Sequence, residues 1–152
     1  MKTRILCFFV LPGLLSLTLL TSCGGGKSTD KQAAVQTANA PSAEQMALGK
    51  SIYEAKCKLC HQSAAQGLPP VWPPLAGSDY LLGDKKRAVA QALNGSNKDI
   101  TVNGVVFKGL MPPQVGTADS AVAVINYVLN NFGNNGGYIS ADEVKDIVIN
   151  PR

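Results

Sequence analysis

The 152-residue chain is most informative first in what it lacks: it has one histidine, one short basic cluster, no internal repeat and almost nothing apolar between Gly24 and Ser42. A lone histidine is a poor start for a structural zinc site, which wants four cysteine or histidine ligands. The basic cluster, Lys85-Lys86-Arg87, is the ordinary solvated face of a helix rather than the footprint that nucleic-acid or polybasic membrane binding needs. The apolar run from Ile5 to Leu20 holds Pro12-Gly13 and does not continue past Cys23, so it is short for a transmembrane helix. With Lys2 and Arg4 ahead of it, the run reads as a secretory signal peptide over residues 1–22. The 14 Lys+Arg become 12 without those two, against 10 Asp+Glu, leaving a net charge of only +2. The polar stretch over residues 23–42 cannot bury enough to fold and reads as a linker. As a flexible coil of about 19 residues it would span roughly 24 Å on average and ~65 Å at full stretch.

What the chain does have is Cys57-Lys58-Leu59-Cys60-His61. C-x-x-C-H is the spacing that attaches a c-type haem: two thiols can each form a thioether to one vinyl group, and the histidine becomes the proximal iron ligand. A bare C-x-x-C is also a thioredoxin-like redox motif, but that wants a βαβ context, and the residues before Cys57 read as helix. Each of the four cysteines then has its own fate: Cys7 leaves with the signal, Cys23 stands at its end, and Cys57 and Cys60 belong to one covalently bound haem c. Two haem propionates would cancel the residual charge.

Four helical segments and one hairpin are legible. Ser42, with Gln45 in capping-box position, starts a helix running to about Lys56. Asp84 caps a second, Lys85 to Leu93, that stops at Asn94-Gly95. Thr117 caps a third from Ala118 to about Phe132, ended by Gly133, and Ser140 with Glu143 opens a fourth from Ala141 to Ile149. Ile100-Thr101-Val102 and Val105-Val106-Phe107 flank Asn103-Gly104, the dipeptide of type I′ hairpins.

With no second histidine, methionine is the remaining common distal donor to a haem iron. Of the two that survive signal cleavage, Met46 falls on the core face of the first helix. Met111 lies in Gly109-Leu110-Met111-Pro112-Pro113, where the prolines forbid helix and hold the loop extended, so Met111 is the better candidate.

Over Ala43 to Phe132 these residues resemble the class I (mitochondrial-like) cytochrome c family: the haem motif, Gly49 and Tyr53 on the first helix, Tyr127 on the third, and Met111-Pro112-Pro113 follow its order. The resemblance implies a mainly α fold with a small β-hairpin, a haem domain at 43–133 and a C-terminal extension with a short helix at 134–152. Trp72-Pro73-Pro74-Leu75 is similar to the family's Gly-Pro-x-Leu stretch, with Trp72 in place of the glycine, which implies that the Pro73 carbonyl bonds the His61 ring and Leu75 packs on the haem. Met111 and His61 would be the iron ligands. The hairpin and the Pro73-to-Ser78 stretch resemble bacterial members associated with nitrite reductases, quinoprotein dehydrogenases and terminal oxidases.

Leu20-Thr21-Ser22-Cys23 resembles the lipobox of bacterial lipoproteins, implying a lipid anchor on Cys23 and a place on the periplasmic side of a membrane. The resulting expectation is a non-enzymatic, membrane-tethered one-electron carrier between a quinol-oxidising complex and a terminal oxidase or reductase, with no role in nucleic-acid binding. The alternatives are a cytochrome subunit of a periplasmic dehydrogenase or nitrite reductase and, against the presence of Met111, a haem-based gas sensor.

Overall fold

Ser42 opens the first helix, its Oγ accepting from the Gln45 amide at 3.1 Å. The computed structural model describes residues 40–151; the expected signal segment, Cys23 and most of the expected linker lie outside the described residues. Helix α1, Ala43–Ile52, passes into one π-helical turn, Tyr53–Cys57, and then into α2, Lys58–His61, so the helical path runs on past the expected end at Lys56 to the histidine. In the π turn the Lys58 amide reaches back to the Tyr53 carbonyl. Gln62, at φ 69, ends the path.

The central element is α5, Ala118–Leu129, capped by Thr117 and buried on nearly every side, as its almost wholly apolar sequence requires. It crosses α1 at Gly49, where a Cβ would lie 2.2 Å from the Ala123 carbonyl oxygen and 2.7 Å from the Tyr127 Cβ. Only glycine allows that approach. One turn on, Tyr53 packs against Tyr127 and Phe132 with ring centroids 5.8 and 4.8 Å away, and its hydroxyl donates to the Gln62 carbonyl at 2.6 Å.

Helix α5 stops at Leu129 rather than near Phe132. The side-chain amides of Asn130, Asn131 and Asn134 donate to the carbonyls of Asn126, Tyr127 and Val128, taking the bonds that further helix would have made. A short helix that the sequence reading missed, α3 (Asp79–Gly83), starts on Ser78 and ends at Asp84, which in turn caps α4, Lys85–Asn94. Helix α4 buries Ala88, Val89, Ala92 and Leu93.

Strands β1 (Ile100–Val102) and β2 (Val105–Phe107) pair antiparallel with Ile100 opposite Phe107, and Asn103 and Gly104 both take positive φ as a type I′ turn demands. A two-stranded hairpin is marginal alone. Here its turn is tied to α3: Asn103 Oδ1 accepts from the Asp79 amide and Asp79 Oδ1 from the Asn103 amide, at 3.1 and 2.8 Å. Val102 and Phe107 point inward and are buried.

The fourth expected helix, Ala141 to Ile149, is corrected to a single 3-10 turn, Asp142–Val144. Its capping box forms, with Glu143 Oε2 accepting from the Ser140 amide and Ser140 Oγ from the Glu143 amide. Beyond it the chain is drawn along α4 instead: Asp146 pairs with Lys86, and Asn94 holds the Val148 carbonyl and the Asn150 amide. Deeper in, the fully buried Asn126 of α5 brackets the Ile139 peptide, donating to its carbonyl at 2.9 Å and accepting from its amide at 3.0 Å. Among the described residues no helix is long and apolar enough to cross a membrane.

Replacing Asn126 by Ala leaves a buried donor and acceptor on Ile139 without partners, so Asn126→Ala is expected to cost about 2–4 kcal/mol of stability in urea unfolding. A loss below about 0.5 kcal/mol would mean that the tail is not held by this residue.

Candidate functional site

The helical path delivers His61 at its last residue, where the side chain is only 7% exposed. Its Nδ1 lies 2.9 Å from the Pro73 carbonyl oxygen. A carbonyl can only accept, so Nδ1 carries the hydrogen. Burial holds the imidazole below its ordinary pKa, the Pro73 bond opposing, and the neutral ring keeps a lone pair on Nε2. Nε2 has no hydrogen-bond partner among the described residues.

The Pro73 carbonyl reaches that point because the chain after His61 folds tightly back. The Gly67 amide bonds the His61 carbonyl, Leu68 and Trp72 form a bridge, and Leu75 and Ala76 both donate to the Ala65 carbonyl. Gly67, at φ +65, is wedged against this return: a Cβ would lie 2.5 Å from the Trp72 oxygen and 2.6 Å from Pro73. The close approach of the two sides of the loop is thus made at Gly67.

A cleft of ≈ 270 Å³ opens in front of the histidine. Cys57, Cys60, His61, Pro73, Leu75 and Met111, all the site residues expected within the described range, line it. Leu81, Ile125 and Val128 of α3 and α5 form its floor, and the hairpin adds Val102 and Phe107. These last two were not singled out from the sequence, although the alternation of the hairpin marks them as one of its faces. Cys23 lies outside the described residues.

Cys57 and Cys60 form no disulfide. Burial, with a smaller contribution from Cys60, pushes the Cys57 thiol up to about 11, the reverse of the depressed thiol of a reactive thioredoxin-like pair. Among the described residues no group of three or more His, Cys, Asp or Glu side chains converges in the manner of a metal-holding cluster.

A C-x-x-C-H turn at the mouth of an apolar cleft, with a neutral histidine whose Nε2 has no partner among the described residues, is an arrangement that suits a haem. Residues 44–128 match the family described as cytochrome C oxidase, cbb3-type, subunit III. The chain belongs to this cytochrome c family. It is 33% identical over 90 residues to cytochrome c-552 of Thermus thermophilus, the match covering 56% of this chain and 68% of that protein. It is 28% identical over 115 residues to the cytochrome c subunit of the quinone-type alcohol dehydrogenase of Gluconobacter oxydans, and 28% identical over 104 residues to the cytochrome subunit of the fructose dehydrogenase of Gluconobacter japonicus. Each of these two matches covers 65% of this chain but only 21% of the relative, so the chain spans about a fifth of those subunits.

Membership of the cytochrome c family implies haem c, and the residues present fit it. The cleft is walled mostly by apolar side chains, and the histidine at its mouth is neutral with Nδ1 committed to Pro73.

The raised Cys57 thiol has a direct consequence in the haem-free protein. Alkylation followed by mass spectrometry of the peptide carrying Cys57 is expected to show a rate still climbing about tenfold per pH unit at pH 9, because thiolate is the reacting form. A rate already level at pH 7 would restore the thioredoxin-like reading.

Proposed function

We propose that the domain is a monohaem electron carrier in which Cys57 and Cys60 hold one haem through thioethers, His61 is the proximal ligand through Nε2, and Met111 is the distal ligand. The observation that carries this reading is that these four side chains meet in a single apolar cleft. The haem supplies a one-electron iron couple, and no bond of a substrate is made or broken. The Pro73 carbonyl fixes the tautomer and plane of His61. Leu75 and the floor residues of α5 exclude water, and a methionine opposite a histidine favours the ferrous state and a high potential. Leu59 and Leu110, 84% and 73% exposed, flank the ligand-bearing turns and offer a small apolar rim for brief contact with redox partners.

We further propose export by the 1–22 segment, lipidation of Cys23, and a linker that lets the haem domain swing between partners on the periplasmic side of a bacterial membrane. The partners best matched to that arrangement are a quinol-oxidising complex and a terminal oxidase or reductase. The likeness to the two Gluconobacter dehydrogenase cytochrome subunits favours a second reading, in which the chain is the cytochrome subunit of a periplasmic dehydrogenase; co-purification of a dehydrogenase activity with the native protein would decide for it.

The matured protein is expected to show a low-spin c-type spectrum with a weak far-red sulfur-to-iron band and no response of the reduced form to carbon monoxide. Met111→Ala should keep the covalent haem, abolish that band, admit carbon monoxide and lower the potential within the roughly 0.8 V that axial ligands span. An unchanged spectrum and potential in Met111→Ala would remove Met111 from the iron. In cell fractionation, Cys23→Ser should move the protein from the membrane to the soluble fraction, since stable anchoring needs the acyl chains; retention on the membrane would refute the lipid anchor.

A further inference from the structure

The residues from Lys108 to Pro113 gain little from burial: all are exposed except Met111, which is half-buried. Apolar packing therefore does not place the Met111 thioether. Two backbone hydrogen bonds do. The Ser96 amide donates to the Met111 carbonyl and the Met111 amide to the Ser96 carbonyl, each at 2.8 Å, as an isolated antiparallel bridge. On the far side of the prolines the Gln114 and Val115 amides both return to the Ala92 carbonyl of α4. The Met111 arm is thus hung on the end of α4 at two points.

Gly95 makes that suspension possible. It ends α4 at φ 75 and ψ −172, a region essentially reserved for glycine, and turns Ser96 outward to meet the arm. It also lies directly beneath it: a Cβ on Gly95 would sit 2.4 Å from the Met111 carbonyl oxygen, 3.0 Å from the Pro113 nitrogen and 3.1 Å from the Pro112 carbonyl carbon. Neither the backbone angle nor the space admits a side chain, and the atoms in the way belong to the backbone of the proposed ligand and the prolines after it.

We infer that Gly95 and the Ser96 backbone are positioning residues for the distal ligand, setting how firmly Met111 is held at the iron without touching it. This rests on the proposal that Met111 is that ligand. The end of α4 acts as a fixed shelf because Ala92 and Leu93 are core residues, whereas the arm it carries is exposed apart from Met111. The strength of distal ligation is therefore set where α4 stops rather than within the methionine loop.

The test compares three holoproteins matured with haem. Gly95→Ala is expected to retain covalent haem and far-UV helicity, yet lose most of the far-red band and gain apparent carbon monoxide affinity by about tenfold or more, as access scales with the fraction of displaced ligand. Gly104→Ala is the control: Gly104 also has positive φ, at 79°, but no atom within 4 Å of its Cβ, so it suffers the backbone strain of the turn and should keep both the band and the indifference to carbon monoxide. If Gly95→Ala keeps them while Met111→Ala loses them, the inference fails and the ligand assignment stands. If Met111→Ala keeps them too, the ligand assignment falls and takes this inference with it. Loss of the band in Gly104→Ala as well would reduce the effect to general destabilisation and overturn the inference. Should Gly95→Ala fail to mature, amide exchange in the wild-type holoprotein decides: the Ser96 and Met111 amides should exchange at least about tenfold more slowly than those of Asn97 and Leu110, which have no such bond, and equal rates would overturn the inference.

Discussion

Direct contact of two helix backbones at Gly49 is the constraint on which the remaining geometry hangs. Because α1 touches α5 there with no side chain between them, the rings of Tyr53, Tyr127 and Phe132 close into one cluster, and the motif downstream is delivered against the floor formed by Ile125 and Val128. A methyl group at position 49 would have to push the two helices apart, and overpacking of that kind typically costs about 1–3 kcal/mol. The larger consequence would be geometric, since the helix that carries Gly49 is also the one that presents both cysteines and His61. The binding turn is held by the loop that returns to Pro73, by the Tyr53 hydroxyl on the Gln62 carbonyl and by the packing of Cys57 against the core.

The two ends of the proposed iron axis are built on different physical terms. On the histidine side everything is buried or bonded: the ring is held by a proline carbonyl, the turn behind it by Ala65 and Gly67, and the helix before it by the aromatic cluster. On the methionine side the chain is largely exposed, stiffened by Pro112 and Pro113, and attached to the end of α4 through main-chain bonds. An arm of that construction costs little to order because its prolines restrict it already in the unfolded state, and it can be re-aimed without disturbing the core. The C-terminal extension closes over α4 and α5 through Asn94 and Asn126, and its first residue, Asn134, bonds the Leu75 carbonyl and the Gly77 amide of the loop that follows Pro73.

Much of this was open to reading from the residues. Capping side chains gave α1, α4 and α5 their starts, and Asn103-Gly104 located the hairpin to the residue, because these signals are local and act through one or two hydrogen bonds. The candidate site was legible for a related reason: C-x-x-C-H and Met-Pro-Pro are short and chemically specific. What escaped was decided by distant partners. Nothing near Leu129 announces that three asparagines will end α5 through their own amides. Nothing in Ala141 to Ile149, a good capping box followed by apolar residues, shows that Asp146 and Val148 will be claimed by α4. Asn126 reads as one more polar position on a helix until its peptide partner, thirteen residues on, is known.

The π turn over Tyr53–Cys57 sets the direction in which the binding motif faces. Its backbone winds wider than an α-helix without breaking the helical path, changing the angular phase between what lies before and after. A regular α-helix over the same residues would aim Cys57 and Cys60 at a different angle about the axis, so the wide turn fixes the heading of the thiols relative to the crossing at Gly49.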